Sequence, residues 1–219
     1  MLQSFGQNNF TFSPEKPRTG DIITISYSGA QTNSRETKKG DQPLLKATVY
    51  TLGSKGQTAN DLDLKKTGDN YIGTVKTDTS DNFVYFGFAV DNKFDNNSSK
   101  GYWIQLYKGD SLKSGSDLSL SEFYQFYDEA VGMEPDNDGA LTALEDEFKV
   151  NPESKKKYLL THARLYNREH KDEVYAMIQK EIESQIKSGL KDEGDYTTIL
   201  GLYSIANLPQ QSKLIGDLI

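Results

Sequence analysis

Four carboxylates at regular spacing offer the chemistry of a calcium site. Glu134, Asp136 and Asp138 occupy positions 1, 3 and 5 of a calcium-type loop, with Gly139 at position 6 and Glu145 at position 12. Hard Ca²⁺ prefers carboxylate oxygens, and the glycine permits the sharp turn that such a loop needs. The alternative is the start of a helix that Asp136 or Asp138 caps. The pattern therefore predicts either bound Ca²⁺ or an ordinary capped helix.

A second acidic stretch, residues 91–97, has the sequence DNKFDNN. Its carboxylates and amides could bind a cation, but the same composition is typical of turns in which Asp and Asn bond to their own backbone. The irregular spacing favours an ordinary loop between two strands.

An aromatic strand offers the chemistry of a sugar-binding platform. Alternation along residues 102–107 places Trp103, Gln105 and Tyr107 on one face. Aromatic rings beside an amide can stack on a glycan and hydrogen-bond to it. The alternative is packing, since a strand covered on both faces carries aromatic residues on each side. The pattern favours packing and keeps these three residues as binding candidates.

Cysteine and histidine chemistry is scarce in this chain. It has no cysteine, which excludes disulfides, iron–sulfur ligation and every thiol mechanism within these residues. His162 shares an apolar helical stripe with Tyr158 and Leu165, so we expect a packed, hydrogen-bonded histidine. His170 lies in a charged run, and we expect it to be solvated. Neither histidine is predicted to catalyse a reaction or bind a metal.

No catalytic residue is predicted. Paired carboxylates are frequent, but they stand beside lysines in polar runs, which is typical of solvated faces. A general acid–base pair needs contrasting, partly buried surroundings. The sequence has no GxSxG, P-loop or GxGxxG motif. The formal net charge of −7 argues against a nucleic-acid or anionic-membrane partner, and no apolar run reaches the roughly 20 residues of a membrane-spanning helix.

The elements that would position these residues fall into two regions. Residues 8–114 show period-two alternation broken by turn residues: Ile23, Ile25 and Tyr27 share one face, and Val84, Phe86, Phe88 and Val90 form the most apolar face. About seven such strands predict an antiparallel, immunoglobulin-like β-sandwich. A turn is predicted at residues 67–70 and a further strand at residues 61–64.

Residues 117–219 change to a helical period, which makes the predicted fold class α+β with an all-α second domain. Ser119 and Glu122 form a capping box, residues 151–152 start a second helix, and Asp195 caps a later one. The clearest stripe contains Val174, Met177, Ile178, Ile182 and Ile186 and ends at Gly189. Short loops predict antiparallel helical hairpins.

The two ends of the sequence suggest a piece of a longer protein. The first seven residues lack the basic and apolar regions of an export signal. Residues 208–219 form an amphipathic pattern opened by Pro209, with Leu214, Ile215 and Leu218 on one face, and it stops at Ile219 without a cap. We expect this stripe to contact a partner and the helical domain to be truncated.

Two pairs of segments carry a family resemblance. The first pair is residues 10–17, FTFSPEKP, and residues 20–27, GDIITISY; the second is residues 95–97, DNN, and residues 101–104, GYWI. Both pairs resemble the N-terminal region of TlpA-type, thioredoxin-like thiol-disulfide oxidoreductases of the cell envelope. The resemblance implies an immunoglobulin-like β-domain and a helical segment that precede a C-terminal thioredoxin-like domain. It also implies a periplasmic or envelope location in bacteria, with an export signal outside this sequence. No catalytic residue transfers, because the redox domain uses a CxxC pair.

The resemblance therefore predicts a non-catalytic region that positions a redox domain or recognises that domain's partner. The full-length protein would be an oxidoreductase that needs no cofactor. Its partners would be its own C-terminal domain and envelope proteins. The alternative is a stand-alone carbohydrate- or protein-binding envelope module, with or without stabilising Ca²⁺.

Overall fold

The computed structural model of the protein describes residues 9–29, 45–127 and 129–208. Antiparallel strands build the first part and helices the second, so the predicted α+β class is confirmed. The chain divides into two compact units between Asp136 and Asn137. The first unit thus extends past residue 114, where we placed the end of the β-domain, because a short helical segment packs on its sheet.

The described residues of the first unit form two large antiparallel sheets and one small hairpin. One has the strand order β1-β2-β6-β5, and the other has the order β4-β3-β7-β8 with β9 also paired to β7. The strands of the first sheet are β1 (Phe10–Ser13), β2 (Ile22–Tyr27), β5 (Lys65–Thr67) and β6 (Asn70–Lys76). Those of the second are β3 (Leu45–Gly53), β4 (Gly56–Asp61), β7 (Asp81–Val90), β8 (Lys93–Asp95) and β9 (Tyr102–Gln105). A small hairpin joins β10 (Tyr107–Lys108) to β11 (Ser111–Leu112).

The inner faces of the two sheets share one hydrophobic core. Ile23, Ile25 and Tyr27 of β2 are fully buried, as the alternation predicted. The Tyr27 ring stacks on Phe88 of the other sheet with ring centroids 3.9 Å apart, and Phe10 lies 5.1 Å from Phe86. Side chains from both sheets therefore form a single buried cluster. The immunoglobulin-like connectivity stays a prediction.

Glycines with positive φ angles lie at the turns between strands. The turn at residues 67–70 is confirmed, with Gly68 at φ +61° between β5 and β6. The strand predicted at residues 61–64 is wrong, because β4 ends at Asp61. Gly56 at φ +91° closes a two-residue hairpin that pairs β4 with β3 from Gly53 onward. The strand therefore begins five residues earlier and ends three residues earlier than the alternation indicated.

A helical segment covers the outer face of β7. Helix α1 (Ser116–Glu122) begins after Gly115 at φ +86° and continues as a π-helix over Phe123–Tyr127. The capping box predicted at Ser119 is wrong, since Ser119 is a buried residue inside α1. Phe123 is buried, with its ring centroid 5.6 Å from that of Phe83 and 4.9 Å from that of Tyr85.

The described residues of the second unit, up to residue 208, form four helices. They are α2 (Asn137–Val150), α3 (Ser154–Glu169), α4 (Val174–Ser188) and α5 (Glu193–Ile205). Their short connections make neighbours antiparallel. The core is aliphatic and contains Leu159, Ala163, Val174, Ile178, Ile182, Ile199 and Leu202. In the part of the chain that the structure describes, no helix has the length and apolar character needed to cross a membrane.

Two predicted helix starts are corrected. Helix α3 begins at Ser154, two residues after Pro152, and its N-cap side chain accepts no hydrogen bond. Asp192 caps α5, because its Oδ1 atom accepts a hydrogen bond from the Asp195 backbone N–H at 3.0 Å. Asp195 is in the first turn and faces Lys156 instead. The end of α4 at Gly189 is confirmed.

Candidate functional site

The carboxylate of Asp95 is the centre of a polar network in the first unit. Its Oδ2 atom accepts hydrogen bonds from the hydroxyls of Tyr27 at 2.7 Å and Tyr102 at 3.0 Å. Its Oδ1 atom accepts one from the Asn97 backbone N–H at 3.1 Å. A Cβ atom on Gly29 would lie 2.3 Å from Oδ2, so only glycine fits beside the carboxylate. The carboxylate of Asp95 in the acidic loop thus accepts hydrogen bonds from other residues of the same chain.

This network keeps the Tyr102 hydroxyl protonated. Burial, followed by the nearby charge of Asp95 and the hydrogen bond to it, raises the pKa of Tyr102 far above its usual value. A neutral hydroxyl can donate to the carboxylate at any physiological pH. The hydrogen bonds to Asp95 therefore order the loop after β8. In the sequence, the only sign of this network is that the loop is rich in Asp and Asn.

The aromatic strand faces the helical segment. The Trp103 ring centroid lies 5.9 Å from that of Phe83, and its indole hydrogen-bonds to Tyr124, a residue of the π-helix. The Gln105 Nε2 atom donates to Asp117 Oδ1 at 2.6 Å. Two of the three side chains that we proposed for glycan contact thus bind residues of the segment 116–127. This geometry favours the packing interpretation.

Tyr107 is separated from that pair by a break between strands. It begins β10, and its backbone N–H donates to the carbonyl of Pro17 at 2.8 Å. The Lys16 Nζ atom lies 5.7 Å from the centroid of the half-buried Tyr107 ring. The structure therefore places Tyr107 at a hairpin, while Trp103 and Gln105 belong to β9. Glycan binding by the three residues stays a prediction.

The proposed calcium ligands lie on both sides of the division between the units. Glu134 and Asp136 precede it, and Asp138 lies in the first turn of α2. The Glu145 Oε1 atom lies 3.0 Å from His162 Nε2, so this carboxylate already has a partner. Across residues 9–29, 45–127 and 129–208, no group of three or more Asp, Glu, His or Cys side chains is arranged to hold a metal ion. Calcium binding by this loop stays a prediction.

The two histidines have the environments that their neighbours predicted. His162 is buried in α3, with its ring centroid 5.6 Å from Phe148 and 5.9 Å from Tyr166. Its bond to Glu145 joins α3 to α2. His170 is exposed at the end of α3. Both expectations from the sequence, one packed and one solvated histidine, are therefore confirmed.

An apolar groove on the second unit was missed by the sequence analysis. It has a volume of about 260 Å³ and is lined by Tyr175, Ile178, Gln179, Ile182, Glu183 and Ile186 of α4, Tyr203 of α5, and Leu208. Ile178 and Ile182 are buried as the stripe predicted, but Ile186 and Tyr175 are each 52% exposed. The signal in the sequence is Tyr175, which begins a second row along α4 beside the core stripe.

Exposed aliphatic and aromatic side chains in a concave surface suit contact with another apolar segment. The groove is therefore the best candidate for an apolar interaction site in the part of the chain that is described. The residues we predicted for partner contact, Leu214, Ile215 and Leu218, lie outside the described residues. No protein-family model matches this chain, and a search of curated proteins also finds no match.

Proposed function

We propose that this chain is the non-catalytic N-terminal region of an envelope thiol-disulfide oxidoreductase. It would position a C-terminal thioredoxin-like domain or recognise the protein on which that domain acts. The proposal rests on a contact between the two pairs of segments that resemble the oxidoreductase family. Tyr27 ends one of them, while Asp95 and Tyr102 belong to the other, and the two tyrosine hydroxyls donate to the one carboxylate.

The order of the two units supports the same proposal. An antiparallel β unit is followed by a unit of helices, which is the order that the resemblance implies for the region before the redox domain. The chain has no cysteine and so no CxxC pair. Thiol-disulfide exchange would therefore be carried out by residues beyond this chain, in a periplasmic protein with a bacterial export signal.

The first experiment reads the coding sequence on both sides of this segment in its genome. We expect a domain with a CxxC pair downstream of residue 219 and an export signal upstream of residue 1. A stop codon directly after Ile219 would contradict the proposal and favour a stand-alone binding module.

A second experiment tests the role of the region in the full-length protein. Removal of residues 1–219 should leave reduction of a small disulfide by the redox domain within about twofold, because the CxxC chemistry stays intact. Exchange with the physiological protein partner should fall by about tenfold or more, since the region no longer raises the partner's effective concentration. Equal loss of both activities would contradict an accessory role.

A further inference from the structure

Strand β4 is an open edge of the second sheet. It pairs with β3 on one side, and in the part of the chain that the structure describes no strand pairs with its other side. All the residues of β4, Gly56–Asp61, are exposed. Their register with β3 runs without a shift from one end of the strand to the other, so no bulge interrupts the edge. The open side is therefore a row of backbone groups that a further strand could bind.

Three residues of β4 direct their backbone groups away from β3. In an antiparallel ladder, every second residue of a strand bonds to a given neighbouring strand. The Leu62 backbone N–H donates to the Ala47 carbonyl at 2.9 Å, and this bond continues the register of β4 with β3. Every second residue counted back from Leu62 therefore bonds to β3. The N–H and C=O groups that face outward belong to Gln57, Ala59 and Asp61.

Strand β4 lacks the features that protect edge strands from pairing. Natural edge strands are kept apart by lysine, by proline or by a short length. The edge strand β5 of the first sheet has three residues, and two of them are Lys65 and Lys66. The edge strand β1 is followed directly by Pro14. Strand β4 is longer and contains neither lysine nor proline, so its sequence permits pairing at the open side.

The open edge is complementary to a second copy of itself. Two antiparallel copies with Ala59 opposite Ala59 place Gln57 of each copy opposite Asp61 of the other. In this register every outward N–H and C=O group of the strand has a partner. The Gln57 amide can donate to the Asp61 carboxylate, and no two like charges of β4 lie opposite each other. Beyond the strand, the same register brings the exposed Lys55 toward the exposed Asp63 of the second copy.

Both of these donors have hydrogens to spare. The Gln57 Nε2 atom donates one hydrogen to the Tyr85 hydroxyl and carries a second one. The Lys55 Nζ atom lies 3.4 Å from Asp78 Oδ1 in an exposed pair, and an ammonium group can donate to more than one acceptor. Each side chain can therefore bind the second copy and keep the contact in its own chain.

We propose that β4 binds β4 of a second copy of this chain in antiparallel orientation, with Ala59 at the two-fold axis. The pairing joins the second sheets of the two copies into one continuous sheet. A single pair of short strands buries less than the roughly 1,200 Å² of a stable interface, so we expect weak association, with a Kd of about 0.1 mM. Unlike the groove on α4, for which the described residues show no occupant, this edge matches a copy of itself. The association involves no redox chemistry, so it is independent of the proposed function.

The absence of cysteine makes single introduced thiols a test of the register. In the full chain, Ala59→Cys places two thiols opposite each other, with Cα atoms about 5.5 Å apart, which is within the range of a disulfide. Asp61→Cys is the matched control on the same face of the strand, and its two copies lie about 15 Å apart. During oxidation by copper phenanthroline at a protein concentration near the expected Kd, the covalent dimer should form about tenfold faster from Ala59→Cys.

Sedimentation velocity measurements on the full chain test the hydrogen bonds of the edge. Ala59→Pro removes an outward N–H group and leaves the bonds to β3 in place, so association should need about tenfold higher protein concentration. Ala59→Thr keeps the N–H group and is the matched control, which should associate like the parent chain. Ile186→Glu, which adds a charge to the groove on α4, should also associate like the parent chain.

Three results would overturn the proposal. Equal cross-linking of Ala59→Cys and Asp61→Cys would show that the strands do not pair in this register, and this comparison stands even if Ala59→Pro fails to fold. Association that survives Ala59→Pro but is lost in Ile186→Glu would place the interface in the groove on α4. A parent chain that stays monomeric at about 1 mM would exclude a second copy and leave the edge to an extended peptide of another protein.

Discussion

The two units of this protein use different means to hold their folds. The first has an aromatic core that two sheets build together, and Phe10, Phe86, Phe88, Tyr27 and Tyr102 are nearly or fully buried in it. The second has a smaller aliphatic core made by neighbouring helices. Of its polar links, His162 with Glu145 joins α3 to α2, and Lys156 with Asp195 joins α3 to α5.

The two units also differ in how much apolar surface they leave exposed. In the first unit, strands far apart in sequence must pair, so both faces of the long strand β7 are covered, with only two of its ten residues partly exposed. In the second unit, contacts are mostly between consecutive helices, and the last hairpin leaves one apolar row open. An apolar interaction site is therefore more compatible with the helical unit.

The largest expected effect is on the aromatic core. Phe88→Ala should lower the free energy of unfolding of the first unit by about 3–5 kcal/mol, since it removes a fully buried ring that stacks on Tyr27 and leaves a cavity. Trp103 is the only tryptophan and lies in this unit, so its fluorescence during urea unfolding reports the change. Ile22→Thr, at a position 62% exposed on β2, is the control and should cost less than about 1 kcal/mol. Equal effects would contradict a shared core between the sheets.

The aliphatic core should respond less strongly, and only in its own unit. Ile178→Ala should cost about 2–4 kcal/mol, because the side chain is buried among the helices. Circular dichroism at 222 nm should show the loss of helix at lower urea, while the fluorescence transition of Trp103 stays where it was. Ser184→Ala on the exposed face of α4 is the matched control. A parallel shift of the Trp103 transition would show that the two cores unfold together.

The Asp95 network should have an intermediate effect. Asp95→Asn should lower the stability of the first unit by about 1–3 kcal/mol, since two tyrosine hydroxyls lose a charged acceptor. The double variant with Tyr27→Phe should cost less than the sum of the two single variants, because both remove the same hydrogen bond. Additive effects in urea unfolding followed by fluorescence would mean that Asp95 and Tyr27 act separately.

The smallest expected effect is a pH dependence in the helical unit. A hydrogen bond from Lys156, whose Nζ lies 2.6 Å from Asp195 Oδ1, and one from the Lys191 backbone N–H hold the pKa of Asp195 below its usual 3.8. A lowered folded pKa contributes stability above pH 3.8, and this stability is lost as the pH falls through the folded value.

Acidification should therefore destabilise the parent chain more than Asp195→Asn. Urea midpoints at 222 nm, compared between about pH 6 and about pH 3, measure this difference. Asp146→Asn, which removes an exposed pair with Lys149, should behave like the parent chain. The same acid sensitivity in all three proteins would show that the pair of Lys156 and Asp195 does not contribute.

Much of the fold could be read from local patterns. The alternation in β2 and β7 showed their buried faces, because side chains of a strand point to opposite faces with a period of two. The α4 stripe and its end at Gly189 were also correct, since the helical period and a terminal glycine are local signals. Helix starts were less certain. Several Ser, Asp and Glu residues could cap, but α5 is capped by Asp192 and not by Asp195, and the N-cap of α1 is Gly115 and not Ser119.

By itself, the sequence determined the α+β class, the order of strands before helices, the lack of thiol chemistry and the environments of both histidines. All of these follow from composition or from the spacing of residues close together in the chain. The tertiary structure alone decided that Asp95 accepts from Tyr27, 68 residues away, that Gln105 is held by Asp117, and that Ile186 stays half exposed. Pairing between distant residues depends on how the elements pack, and no local period contains that information.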